Sequence, residues 1–170
     1  MENRAGGSEP IPGPPANPLI TAMPRLSSLL LILLSACAAR PTSEPLYYQM
    51  ETHKPYADVL TELEIAITER NFRITGHNKI GSVIREREHI EFPEYDTLQF
   101  CNLTLAREML EISPEAVMYM PCNVTVRSQD GKVILTTHLL PTDGPDARMN
   151  DFAREMNRKL REIVEFAAED

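Results

Sequence analysis

Between Leu46 and the C-terminus the apolar residues change period several times, and each change predicts a new element. Leu46 to Thr52 carries two aromatics and alternates toward its end, as a half-buried strand does. Pro55 stands where a helix can open. From there Tyr56, Val59, Leu60, Leu63 and Ile67 recur at helical spacing as far as about Arg70, with Asp58, Glu62, Glu64 and Glu69 facing out. Phe72 to Gly76 reads as a short strand. Ile80, Val83 and Ile84 predict a helical turn ending in the charged run Arg85-Glu86-Arg87-Glu88, expected as a solvated face. Tyr95 to Cys101 alternates and predicts another strand, and Leu105 to Ile112 a short helix stopped before Pro114.

Two more strands, Met120 to Ser128 and Val133 to Leu139, flank Gln129-Asp130-Gly131-Lys132. Asp-Gly between apolar alternations is a strong hairpin signal, because both turn residues need positive φ. Asp143 is expected to cap a long helix through Ala168. There Met149, Phe152, Met156, Leu160, Ile163, Val164 and Ala167 form one apolar stripe, whose Met and Phe are expected to pack a core. The order of elements predicts a single α+β domain over residues 46–170, an antiparallel sheet packed against two main helices.

Composition sharpens this picture only in places. The 170 residues, 42% hydrophobic and 25% charged, suit one globular domain, and five of the 14 prolines fall before residue 20. A net charge of −8 argues against a nucleic-acid partner, since little would offset phosphate repulsion. Three cysteines are too few for a disulfide-dense mini-protein.

The stretch ahead of the domain is of another kind. Arg25 precedes a nine-residue run from Leu26 to Leu34, then small residues and Cys37, the order of a secretory signal. Nine helical residues cover only about 14 Å, less than half of a bilayer's hydrocarbon core of about 30 Å, so the run does not make a stable span. Leu34-Ser35-Ala36-Cys37 resembles the lipobox of bacterial lipoproteins at all four positions. The resemblance implies diacylglycerol on the Cys37 sulfur, cleavage before it, and acylation of the new amino group. Residues 23–36 are then the signal peptide and 37–45 a tether. Residues 1–22 fit no signal peptide: either translation starts at Met23 or they form an extended n-region, and in both cases the mature chain lacks them. Cleavage removes Arg4 and Arg25 together with Glu2 and Glu9, so the body keeps its charge of −8 and must be held by acyl chains alone. Ala38 is not the Asp that retains such lipoproteins in the inner membrane, which implies an outer-membrane location facing the periplasm.

Within the domain, Leu98-Gln99-Phe100-Cys101-Asn102, then Ala106-Arg107-Glu108-Met109-Leu110, Pro114, Met120-Pro121-Cys122 and Asp130-Gly131-Lys132-Val133 resemble the domain of unknown function 302 family. The likeness extends over about residues 46–140. It implies a β-α-β₄-α fold, shaped like half of the TATA-binding-protein saddle, and no activity. The chain departs from the common pattern at Cys101, where Gly is frequent, at Cys122, where an aliphatic is frequent, and at Leu103, which replaces Pro.

Those departures hold the candidate chemistry. With Cys37 lipidated, Cys101 and Cys122 are the two remaining thiols in an oxidising compartment, at strand ends that can be neighbours. A structural disulfide is expected, worth about 3 kcal/mol for a loop of this length. An unlinked buried pair, or a redox or metal-binding pair, are the alternatives. Asn102 either holds a turn or lines a small cleft beside helix 105–112. His53, His77, His89 and His138 show no metal-ligand spacing, and no catalytic constellation, cofactor motif or metal site is expected. Two functions follow as expectations. One is a lipid-tethered, non-enzymatic envelope domain binding a protein partner or small ligand. The other is a thiol-based redox or metal-handling accessory using Cys101 and Cys122.

Overall fold

The computed structural model describes residues 45–169. The leader at 1–22, the signal segment at 23–36, Cys37 and its tether as far as Glu44 lie outside the described residues. The elements run Tyr47–Thr52 (β1), Tyr56–Glu69 (α1), Arg73–Lys79 (β2), Ile80–Glu88 (α2), Tyr95–Cys101 (β3), Leu103–Ile112 (α3), the 3₁₀ segment Pro114–Tyr119, Cys122–Gln129 (β4), Lys132–His138 (β5) and Ala147–Ala168 (α4). The five strands form one sheet in the order β1-β5-β4-β3-β2, with every neighbouring pair antiparallel.

Alternation gives the sheet two unlike faces. Asp96, Leu98 and Phe100 of β3, Val124 and Val126 of β4, and Leu135 of β5 are buried on one face. Against them pack Val59, Leu63, Ala66 and Ile67 of α1 and Met156, Leu160, Ile163, Val164 and Ala167 of α4. The hairpin forms as its sequence predicts. Asp130 and Gly131 both take positive φ, 51° and 75°, and Gln129 pairs with Lys132 across the turn. Tyr48 of β1 donates a hydrogen bond to Glu165 of α4 (2.9 Å) and lies under the Arg161 guanidinium, while Tyr47 points to solvent.

Several local expectations change. Asp146, not Asp143, caps α4, its carboxylate accepting from the Arg148 and Met149 amides. The loop before it is closed first, because the Asn150 side chain pairs with both the N–H and the C=O of Gly144. The charged run is helical throughout α2, and Arg85 is no free solvated group. It makes a two-pronged contact with Glu94 (2.9 and 3.0 Å) and donates to the Phe92 carbonyl, fixing the loop into β3. Gly81 lets α2 lie on that loop, since a Cβ there would meet the Pro93 carbonyl oxygen at 2.4 Å.

One polar residue interrupts the α4 stripe. Asn157 is 2% exposed, and its amide pairs with both backbone groups of Leu140, accepting from the N–H (2.8 Å) and donating to the C=O (2.9 Å). This staple fixes where the chain leaves β5. Asn157→Ala strands both groups, so urea unfolding should show a loss of about 3 kcal/mol. A loss under about 1 kcal/mol would mean that the pairing is not what holds Leu140.

Candidate functional site

Beyond the end of β3 the chain turns at Asn102 into α3, and this corner gathers the residues singled out in the sequence. The Asn102 side-chain oxygen accepts from the Thr104 and Leu105 amides (3.0 Å each) and so caps α3. Its amide nitrogen donates to the Asn71 carbonyl (2.7 Å), tying the α1–β2 turn to the same corner. Asn71 itself sits at φ 61°, in the left-handed region. Asn102 therefore holds a turn, and it also borders the cavity beneath α3.

The cysteines come close together but are not bonded: both are free thiols. The expected disulfide is not seen between them. The register sets Phe100, not Cys101, opposite Cys122. Cys101 stands one step beyond Phe100 at the end of β3, so it is not the residue directly across from Cys122. Burial first, and the neighbouring Cys101 second, push the Cys122 thiol up to about 12. Such a thiol stays protonated and is a poor nucleophile at neutral pH.

Cys122 and Cys101 border a cavity of about 30 Å³ between the sheet, α3, the 3₁₀ segment and α4. Its wall is almost wholly apolar. Phe72, Leu105, Leu140 and Phe152 alternate there with the thioethers of Met109, Met120 and Met156. The sequence placed Met156 in a core stripe, which is where it packs. What it did not show is the convergence of three methionines with both cysteines, because they come from α3, α4, the residue after the 3₁₀ segment and the ends of two strands.

The histidines stay apart, and no group of three or more His, Cys, Asp or Glu side chains suited to a metal occurs among the described residues. One cluster was missed. Asp96, 6% exposed, takes hydrogen bonds from the Tyr56 hydroxyl (2.8 Å) and from His77 Nε2 (2.7 Å). Burial and the Asp96 carboxylate push the Tyr56 phenol well above its ordinary range. The signal was a charged residue at a core-facing step of β3. The cluster joins α1, β2 and β3 with its polar groups paired.

A second hollow opens at the same end of the sheet. It is a groove of about 530 Å³ lined by Leu46, Met118, Tyr119, Pro121, Leu140 and Pro141 among others. Val117 and Met118 of the 3₁₀ segment stand exposed at its side, at 59% and 75%.

These features define a two-layer α+β domain whose helices cover one sheet face, with a sulfur-rich cavity at one end. The chain belongs to the family described as domain of unknown function DUF302, whose model matches residues 48–167. The fold is that of a solved member, the crystal structure of an uncharacterized conserved DUF302 protein from Bacillus stearothermophilus. That structure has a TM-score of 0.65 at 15% identity, covering 72% of this chain and 98% of that one. No match is found among curated proteins.

Two outcomes follow for this corner. Asn102→Ala removes the α3 cap, and thermal or urea unfolding should show a loss of about 1–2 kcal/mol. In the folded protein Cys122 should resist iodoacetamide at pH 7, holding about a thousandfold less thiolate than an ordinary cysteine. Its labelling rate should climb about tenfold per pH unit up to about 12. Rapid labelling of Cys122 at neutral pH under native conditions would contradict the buried thiol.

Proposed function

We propose that the protein is a lipid-anchored envelope lipoprotein carrying a non-enzymatic binding domain. The observation that carries this reading is the lipobox Leu34-Ser35-Ala36-Cys37 after Arg25 and a run too short to span, set nine residues ahead of the first residue of a folded domain. Nine extended residues reach about 30 Å at most, so the domain stays beside the bilayer that holds the acyl chains. With Ala38 after the lipidated cysteine, the location proposed is the outer membrane, facing the periplasm.

The groove at Leu46 supports the binding role. At about 530 Å³ it falls within the size of ordinary ligand sites, and its apolar wall with Gln99, Asn123 and His138 suits an amphipathic ligand or a partner segment. Leu46, at the start of the domain, borders the groove. The acidic body does not compete for anionic lipid.

A second reading, handling of a metal by Cys101 and Cys122, has a specific observation behind it in the sulfur-lined cavity. Thiol–disulfide exchange is the weaker branch, because it needs a thiolate before attack, which burial of Cys122 opposes, whereas a metal displaces the thiol proton as it binds.

The anchor is tested by metabolic labelling with radioactive palmitate and by fractionation. The natural chain should incorporate label and sediment with outer membranes, whereas Cys37→Ser should lose the label and stay uncleaved or become soluble. Equal membrane association of a cleaved Cys37→Ser protein would overturn the anchor, and recovery with inner membranes would overturn the location.

A further inference from the structure

We infer that the cavity beneath α3 is a binding site for one soft monovalent cation, the cuprous ion, held by the sulfurs of Cys122, Met109, Met120 and Met156. The inference deepens the metal-handling reading by naming the ion, and it does not depend on the lipid anchor.

Size decides first. About 30 Å³ is room for one water-sized particle and far below the volume that encloses an organic ligand. Water is a poor occupant, because it needs two to four polar partners and this wall is nearly all carbon and sulfur. Donor chemistry decides next. No carboxylate or imidazole borders the cavity, so magnesium, calcium and manganese find no oxygen cage, and zinc finds two cysteines at most, short of its usual four Cys or His ligands. Five of the twelve bordering residues carry sulfur, and thiolate with thioether is the set that selects Cu(I).

Charge balance fits as well. As Cu(I) takes its place on the Cys122 sulfur, the S–H bond breaks and its proton leaves to solvent. One thiolate then neutralises one monovalent cation, and the thioethers add donors without adding charge. A neutral complex is what an apolar interior tolerates, whereas a divalent ion on the same ligands leaves a buried positive charge. No electron moves in this step. The unbranched methionines can swing onto the ion without backbone movement. Cys101 supplies the way in. It borders the interior cavity and also the solvent-open hollow formed with Arg73, Asn102, Leu103 and Thr104, so the residue is shared by the two.

The test uses the full chain with Cys37→Ser, purified in detergent and kept reduced, so that Cys101 and Cys122 are its only thiols. Cu(I) is titrated anaerobically against a coloured Cu(I) chelator, and the product is weighed by native mass spectrometry. One Cu(I) per chain is expected, with only sulfur neighbours in X-ray absorption and with Zn(II) bound at least a hundredfold more weakly. Met109→Leu and Met156→Leu keep the core volume and should each weaken Cu(I) about tenfold with the fold intact by circular dichroism. Cys122→Ala should weaken it a hundredfold or more. The inference is overturned by the absence of stoichiometric Cu(I), by nitrogen or oxygen neighbours, or by affinity unchanged in Cys122→Ala and in the methionine variants. Because Cys37 is absent throughout, none of these results bears on the anchor.

Discussion

The α4 helix cannot hide its long apolar stripe without the sheet, and the sheet cannot hide one face without α4 and α1. That mutual burial is the constraint from which the rest of the molecule follows. Eight residues of α4 are buried against four of α1 and the inward side of β3, β4 and β5. Each fully buried aliphatic contributes about 1.5–3 kcal/mol, so the layer outweighs any single surface pair. The ion pairs of Glu155 with Arg158 and Lys159 lie on the exposed side of α4 and decorate the helix without deciding its place.

Polar groups enter this layer only when paired. Asn157 takes both backbone groups of Leu140, Thr137 donates to the Asn123 carbonyl, and Asp96 collects Tyr56 and His77. Among the described residues no buried side-chain nitrogen or oxygen is left without a partner. Such pairs add direction to a hydrophobic layer that by itself has little, and they fix how the helices sit over the strands. The sulfur-lined cavity lies at the edge of this ordered layer. Its wall can therefore hold a constant shape while the methionine side chains stay adaptable.

Family membership brings fold and no chemistry, so any role must be argued from this chain's own side chains. Here the informative ones are the two cysteines and the asparagine between β3 and α3. Cys101 and Cys122 stand at adjoining strand ends with Asn102 capping the helix that roofs them.

Local signals in the sequence were enough for the elements and for some of their ends. Helical spacing marked α1 and α4, alternation marked β3, and Asp130-Gly131 marked the hairpin, because each depends on residues a few positions apart. Asp96 at an inward step of β3 and Asn157 within the α4 stripe were visible as polar residues in apolar places, though their partners were not. The tertiary structure alone decided the strand order, the choice of Asp146 over Asp143, and the register that sets Phe100 opposite Cys122. It also decided the meeting of Met109, Met120 and Met156 in one wall. The physical reason is range: a period is written in neighbouring residues, whereas register and convergence depend on contacts between segments far apart in the chain, which only the packed layer brings together.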